Sequence, residues 1–424
     1  MKYAIVTFGC RVNQADSTDI ERQLRAQGGQ RVDTDQAEIV VVNTCSVTST
    51  ADRGARQVIR RIARQNPNAR IVATGCYATR AEFDLASLPA VEKVVPNQQK
   101  LTLIATTAAL LTGHDPTMVD RFGDGDGPCG ELISPESTRT VYTLRVQTGC
   151  NQVCSYCIIP STRGSGRSMP VDQVSQEVTR IALEGFKEAS LTGVHIGSYG
   201  RDLIPRTSLL ELLKRLDGHP SDVMFRVSSL EPMDCNKAII DLVASSGRFA
   251  PHFHLPLQNA SDQVLRAMKR PYSLADYRRL VNMVRSRMPD AGIGSDLVVG
   301  FPGETLGDVE ANLKYLPASP LTYLHVFPYS DRPGTEASRM AGKIDKKSIR
   351  ERARTIRAIG SDLAAGFRLS QLGGVRSALT IDGGRVAVTD NYLKVQVPMG
   401  QPENQRVRVR ITSSGEPVLG ELIT

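Results

Sequence analysis

Cys150-Asn151-Gln152-Val153-Cys154-Ser155-Tyr156-Cys157 puts three cysteines into one short loop, at spacings of four and three. Three thiolates so placed can surround one metal centre. A cubane iron–sulfur cluster has four irons and each wants a ligand, so three cysteines leave one iron open. An open metal position is where a cofactor or substrate binds, whereas a structural zinc site normally closes on four protein ligands. No second cysteine hook lies nearby; His195, His252 and His254 are the histidines that could complete a zinc site, and all sit on other predicted strands or their loops. Position favours iron and sulfur. Cys150 follows the predicted strand Tyr142–Gln147 by three residues, where the loops of a parallel sheet carry their chemistry.

Downstream of this loop, short β-branched runs alternate with amphipathic helical patterns. The expected strands are Tyr142–Gln147, Glu188–Thr192, Val223–Ser228, Phe253–Leu257, Ile293–Val299 and Leu321–Phe327. The expected helices are Val171–Glu184, Leu209–Leu216, Lys237–Ser245, Asp262–Met268, Leu274–Met288 and Leu306–Leu316. Six such units predict a full or partial parallel barrel with its site at the carboxyl ends of the strands. Several residues fall there. Gly193, in Thr192-Gly193-Val194-His195-Ile196-Gly197, lacks a Cβ and permits close approach of a nucleoside, or it simply makes an ordinary turn. Glu231 and Asp296 are placed to hold polar cofactor groups, or to act as capping or solvated carboxylates. His195 reads as a hydrogen-bonded loop residue, and Phe301-Pro302-Gly303-Glu304-Thr305 as a turn into a helix.

Upstream, Val6-Thr7-Phe8-Gly9-Cys10, Val41-Val42-Asn43-Thr44-Cys45 and Val72-Ala73-Thr74-Gly75-Cys76 form a weak repeat. Each places a buried-strand pattern before a cysteine: Tyr3–Thr7, Glu38–Asn43 and Arg70–Thr74. Helical patterns at Ser17–Gln27 and Thr50–Gln65 separate them. Strand-helix alternation implies a parallel sheet, and ligands collect beyond the carboxyl ends of its strands. Singly, Cys10, Cys45 and Cys76 read as buried thiols. Together, at equivalent strand ends, they form a second candidate metal site. Cys129 and Cys235 show no such placement and read as incidental.

The expected organisation is α/β. A parallel-sheet domain spans residues 1–111. A turn-rich linker follows at 112–140, with Gly123-Asp124-Gly125-Asp126-Gly127-Pro128. The barrel domain covers 141–368, and a small all-β barrel covers 369–424. The basic helical stretch Lys343–Arg368 precedes this last segment, whose short runs Arg385–Thr389, Leu393–Val397 and Arg406–Ile411 carry Gly-rich turns. Arg376, Arg385, Lys394, Arg406, Arg408 and Arg410 could follow a phosphate backbone or form a solvated face; the period of two puts the last three on one side of a strand.

The chain has 424 residues, 52 basic and 44 acidic, a net charge of +8. That sign favours a polyanionic partner. Hydrophobic content of 41% is that of a globular protein with a sizeable core. No apolar run approaches the roughly 18 residues of a membrane span; Ile104–Leu111 is the longest near-candidate. Neither does the chain open on a secretion signal, so a cytoplasmic location is expected.

These residues together resemble the radical S-adenosylmethionine (SAM) methylthiotransferases. The resemblance runs the length of the chain in that family's order: cluster domain, radical domain, C-terminal TRAM domain. Cys-x3-Cys-x2-Cys marks the superfamily. Gly149-Cys150-Asn151, Tyr156-Cys157-Ile158-Ile159-Pro160 with Arg163-Gly164, His254-Leu255-Pro256-Leu257-Gln258 and Asp296-Leu297-Val298-Val299-Gly300-Phe301-Pro302-Gly303-Glu304-Thr305 resemble this family in particular. Ser161-Thr162 and Gly166–Pro170 follow the usual pattern more loosely. Gly9-Cys10-Arg11-Val12-Asn13-Gln14 and Leu191–Gly200 are similar to the MtaB subgroup, which acts on N6-threonylcarbamoyladenosine beside the tRNA anticodon. Other subgroups act on isopentenyladenosine in tRNA or on a ribosomal-protein aspartate.

The resemblance implies two 4Fe–4S clusters and SAM. Cys150, Cys154 and Cys157 would hold the radical cluster, whose open iron chelates SAM. Cys10, Cys45 and Cys76 would hold an auxiliary cluster that carries sulfur. Tyr156, Gly193, Glu231 and Asp296 would contact the cofactor. The expected chemistry is removal of the hydrogen on carbon 2 of adenine by a 5′-deoxyadenosyl radical, a step no side-chain base can perform. Expected partners are the tRNA anticodon stem-loop, an electron donor and a sulfur donor. An RNA-binding protein with a structural metal is the non-enzymatic alternative.

Overall fold

The computed structural model describes residues 1–103 and 140–423. The linker stretch 112–139, Ile104–Leu111 and Cys129 lie outside the described residues. The chain divides into two compact units: 1–103 with 145–170 and 330–338, and 140–144 with 171–329 and 339–423.

The first unit is built on a five-stranded parallel sheet. In chain order it runs β1 (Lys2–Thr7), α1 (Arg11–Ala26), β2 (Gln30–Arg31), β3 (Ile39–Thr44), α2 (Ser49–Gln65), β4 (Arg70–Gly75), α3 (Cys76–Arg80), α4 (Glu82–Ala86) and β5 (Val91–Val95). The spatial order is β2-β1-β3-β4-β5, every pair parallel. Both faces are covered, so β3 reads Ile-Val-Val-Val with no polar alternation. Ala55, Ile59 and Ile62 of α2 cover one face with Val40 and Val42. Ile20 and Leu24 of α1 cover the other with Tyr3, Ile39 and Val41. Strand order reverses direction between β1 and β3, and ligands in such sheets bind outside the carboxyl ends at that switch.

The expected helix at Ser17–Gln27 begins six residues earlier, at Arg11. Its first turns carry Asn13 and Asp16, polar yet buried, and so break the apolar period that marks a helix in sequence. Edge strands β2 and β5 were not expected: one has two residues and the other carries the exposed Glu92 and Lys93 straight after Val91.

β6 (Val141–Arg145) leads into a hairpin, β7 (Gln147–Thr148) with β8 (Arg167–Ser168), which encloses the three-cysteine loop and α5 (Ile159–Arg163). This hairpin and loop belong to the first unit.

In the second unit, six strands appear where six were expected. After β6 come α6 (Val171–Leu183), β9 (Glu188–Thr192), α7 (Leu209–Asp217), β10 (Met224–Val227), α8 (Lys237–Ser245), β11 (His252–His254), α9 (Asp262–Ala267), α10 (Leu274–Arg287), β12 (Gly292–Val299), α11 (Leu306–Tyr315) and β13 (Tyr323–Pro328). Two three-stranded sheets, β10-β9-β6 and β11-β12-β13, are joined by the bridges Phe225 to Phe249 and Ser229 to His254, giving a partial (β/α)6 barrel. Capping boxes at Ser273/Asp276 and Thr305/Asp308 start α10 and α11.

The 25-residue α12 (Lys346–Ser370) leads to a closed barrel of β14 (Val375–Ile381), β15 (Val386–Thr389), β16 (Lys394–Gln396), β17 (Arg406–Ser413) and β18 (Val418–Ile423), in the order β14-β15-β16-β18-β17. Arg226, 2% exposed, reaches from β10 to the Asp390 and Thr389 carbonyls at 2.8 and 3.3 Å, while its Nε donates to Glu188 at 2.8 Å. One buried guanidinium therefore ties both barrels of this unit together.

Candidate metal and cofactor centre

Cys10, Cys45 and Cys76 leave the carboxyl ends of β1, β3 and β4. The backbone brings them together through glycine. Gly9 and Gly75 both adopt positive φ (93° and 98°), which an L side chain resists. A Cβ on Gly9 would stand 2.5 Å from Cys45 Cβ and 2.6 Å from its Sγ; one on Gly75 would stand 2.2 Å from the Thr44 carbonyl oxygen. Gly149, before Cys150, repeats the device, with φ of 69° and a Cβ position 1.9 Å from the Ser165 carbonyl oxygen.

Backbone and amide N–H groups point at the sulfurs. Val47 N–H donates to Cys45 Sγ at 3.5 Å, Asn97 Nδ2 to Cys76 Sγ at 3.6 Å, and Gln152 N–H to Cys150 Sγ at 3.4 Å. Such donors tune cluster sulfurs. Burial, then the charges of Cys10 and Cys76, push the Cys45 thiol up to about 11, against the Val47 N–H. A thiol of that kind ligates only when the metal displaces its proton.

Beside the three sulfurs lies a buried charged cluster. Asp16 accepts from Lys100, Arg145 and Arg163, the last at 3.0 Å, and Arg163 also donates to Asn13 Oδ1. Burial opposes ionisation of Asp16, but Lys100, Arg163 and Arg145 override it and hold the carboxyl well below the usual range. Asp19 also accepts from Arg145 at 3.0 Å, so two carboxylates stand against three cations and the corner keeps a net positive charge. Arg163 Nε is buried without a hydrogen-bond partner among the described residues; burial works against its charge, but Asp16, then Cys76 and Cys10, outweigh that and keep the guanidinium protonated. Three thiolates on a doubly positive 4Fe–4S core carry net negative charge, which a positive corner with an unpartnered N–H donor suits. The residues present fit such a group.

The turn after Cys45 is fixed by Asp52. It accepts from Ser46 Oγ at 3.0 Å, Arg80 at 2.7 Å and Arg332 at 2.6 Å. In the three-cysteine loop, Ser155 offers its carbonyl to Ala337 N–H at 2.7 Å, and Cys157 N–H bonds the Cys154 carbonyl at 3.1 Å. Cys150, Cys154 and Cys157 are all partly exposed, as an open coordination position requires. Tyr156 is likewise partly exposed. Cys235 is buried, with its thiol pushed up to about 12 by burial, and stands apart from both sets.

The remaining candidates lie in the second unit. Gly193 follows β9 in a partly exposed loop. Glu231 is paired with the buried Arg270. His195 is held by Asp234, Nε2 to Oδ2 at 2.6 Å, with Arg201 on the other carboxylate oxygen, so it is an anchored loop residue. Asp296 lies among histidines: its Oδ1 accepts from His254 Nε2 at 2.9 Å and His325 Nδ1 at 3.2 Å. Tyr323 Oη sits 3.2 Å from His254 Nδ1 and 2.8 Å from His252 Nε2.

Of the six basic residues picked out in the C-terminal barrel, four are engaged. Arg376 bonds Gln371 and Asp290, Arg406 donates to the Lys187 and Asp222 carbonyls, Arg385 faces Asp382, and Arg410 faces Glu421. Arg385, Arg406 and Arg410 are nonetheless exposed, as are Lys394 and Arg408, which make no ion pair among the described residues. Sequence reasoning missed Asp16, Asn97, Lys100 and Arg145. No periodicity flags them, because Lys100 and Arg145 pair with Asp16 and Asn97 bonds Cys76 and Thr162, all across long stretches of chain.

Two segments match separate families: residues 2–96 an uncharacterized protein family, UPF0004, and residues 144–316 the radical SAM superfamily. A threonylcarbamoyladenosine tRNA methylthiotransferase MtaB from Aquifex aeolicus is 35% identical, covering 97% of this chain and 100% of its own. Its namesake from Bacillus subtilis is 33% identical over 98% and 94%. A tRNA-2-methylthio-N(6)-dimethylallyladenosine synthase from Pelotomaculum thermopropionicum is 31% identical over 84% and 81%. In fold, the radical SAM methyltransferase TsrM from Kitasatospora setae superposes with a TM-score of 0.57 over 80% of this chain and 76% of its own, at 17% identity. Partial barrel and three-cysteine loop thus define a radical SAM enzyme, a class that implies a 4Fe–4S cluster and SAM. Within it, the chain belongs to the methylthiotransferases, in the MtaB subgroup.

Proposed function

We propose that this enzyme converts N6-threonylcarbamoyladenosine in tRNA to its 2-methylthio derivative. The observation that carries this reading is the end-to-end match to several MtaB proteins, which spans both cysteine sets and the C-terminal barrel. Cys150, Cys154 and Cys157 would hold the cluster that binds SAM. Cys10, Cys45 and Cys76 would hold a second one, supported by their convergence beside a positive buried corner. Together the bound clusters and SAM supply radical hydrogen abstraction and sulfur delivery. The chain's own part is to fix and insulate these groups. Gly9, Gly75 and Gly149 let the cysteines turn inward. Asn97 and the Val47 and Gln152 amides donate to sulfur. Arg163 and Lys100 offset the charge of three thiolates.

The target base must leave the anticodon stack to enter a barrel mouth. Among the described residues of the C-terminal barrel, Lys394 and Arg408 are the exposed cations with neither an ion pair nor a side-chain hydrogen bond, and so the ones suited to phosphate contact. An electron donor and a sulfur donor complete the proposed system. Mass spectrometry of tRNA nucleosides from cells lacking the protein tests the substrate: the 2-methylthio derivative of threonylcarbamoyladenosine should vanish. Loss of the dimethylallyl derivative instead would overturn the proposal.

A further inference from the structure

The interior row of the second unit ends in an anchored imidazole that the proposed chemistry leaves unused. On β13, the period of two puts Tyr323, His325 and Phe327 on one face. Gly294 of β12 makes room for this row, since a Cβ there would lie 2.0 Å from the Tyr323 ring. The rings form a ladder. His252 and Tyr323 stack with planes 4° apart, His254 and His325 stack at 5.2 Å, and Phe327 meets His325 edge-on at 6.5 Å. Accessibility rises toward the carboxyl end, where parallel barrels bind ligands: the side chain of His254 is 11% exposed, that of His325 55%.

Both imidazoles bond the same oxygen, Asp296 Oδ1. His254 meets Tyr323 through its other nitrogen. His325 turns Nδ1 to Asp296, and its Nε2, which has no hydrogen bond among the described residues, is left for a ligand. An anion at Nε2 would set the ring between two carboxylate-type acceptors, and both nitrogens then donate only if the imidazole is protonated. Phe327, 40% exposed, offers an adjacent aromatic face for a base.

We infer that His325, oriented by Asp296, binds a carboxylate carried on the substituent of the target base, with Phe327 stacking beside it. This rests on the functional reading above. The threonylcarbamoyl group ends in an amino-acid carboxylate, while a dimethylallyl group offers nothing to hydrogen-bond. A site built for a polar group rejects analogues lacking it far better than an apolar pocket rejects extra atoms. His325 is therefore a specificity residue for the substrate, and Asp296 and His254 are positioning residues.

The test uses the holoenzyme and two anticodon stem-loop RNAs, one with threonylcarbamoyladenosine and one with adenosine at the target position. Wild type should bind the first about ten- to a hundred-fold more tightly, the range of one charge-assisted hydrogen bond. His325→Phe should abolish that preference while binding the unmodified RNA as before. His325→Lys, which returns a cation beside Asp296, should keep a preference. A Phe variant with the wild-type ratio overturns the inference. So does a wild-type preference that disappears with EDTA and returns with Zn2+, because the triad would then be a metal site. Failure of the functional reading looks different: the wild-type enzyme would thiolate dimethylallyladenosine RNA and leave threonylcarbamoyl RNA untouched.

Discussion

Asp16 joins three cations in the first unit, and its removal leaves Lys100 and Arg163 without a carboxylate partner among the described residues while Arg145 keeps Asp19. Asp16→Asn should destabilise the protein by about 3–5 kcal/mol, the usual consequence of breaking a buried pair from one side; urea midpoints read this directly. Thiol reactivity distinguishes the cysteines. In metal-free protein at pH 8, iodoacetamide should label exposed Cys10 first. Cys45 and Cys235, pushed up to about 11 and 12, should stay protonated and unlabelled. Reconstitution with iron and sulfide should then protect Cys10; continued labelling would remove it from the ligand set. Asp296 provides a pH signature. Burial raises its pKa, but hydrogen bonds from His254 and His325 outweigh that and hold it at about 2. Its folded value lies below its unfolded one, so its stabilisation is complete above the ordinary carboxylate range and fades as pH falls through 4 towards 2. In metal-free protein, Asp296→Asn should therefore lose about 2 kcal/mol at pH 5, with the gap to wild type closing in acid.

Among elements, the glycine turns at the ends of β1 and β4 matter more than the strands. Gly9→Ala and Gly75→Ala force a Cβ into Cys45 and the Thr44 carbonyl at a left-handed backbone. Either should cut iron bound at the N-terminal site by half or more while SAM cleavage continues, measured as iron per chain and deoxyadenosine released. Sequence showed these elements well where burial is one-sided or complete. β9 and α8 occur at the residues expected, because their flanking turns are strong and their periods clean. The start of α1 escaped notice because Asn13 and Asp16 are buried polar residues, which sequence periodicity counts as solvent-facing.

For the whole molecule, the C-terminal barrel cannot be treated as a detachable RNA grip. Its Thr389 and Asp390 carbonyls receive Arg226 from β10, so truncation after Leu369 would leave that guanidinium under-bonded and destabilise the second unit. The cleaner test is Lys394→Ala with Arg408→Ala. Removing two phosphate contacts should flatten the slope of log affinity against log salt by about 2, with folding unchanged.

The sequence alone determined the alternation of strands and helices, three cysteines at strand ends, three more in one loop, and the family, because local periodicity and short motifs act over a few residues. Only the tertiary structure decided the company those residues keep. It placed Asp16 with Arg163 and Lys100, tied Arg226 to the C-terminal barrel, and set Asp296 between two histidines. These pairings join residues tens to hundreds of positions apart. Their electrostatics depend on burial and distance in space, neither of which is written along the chain.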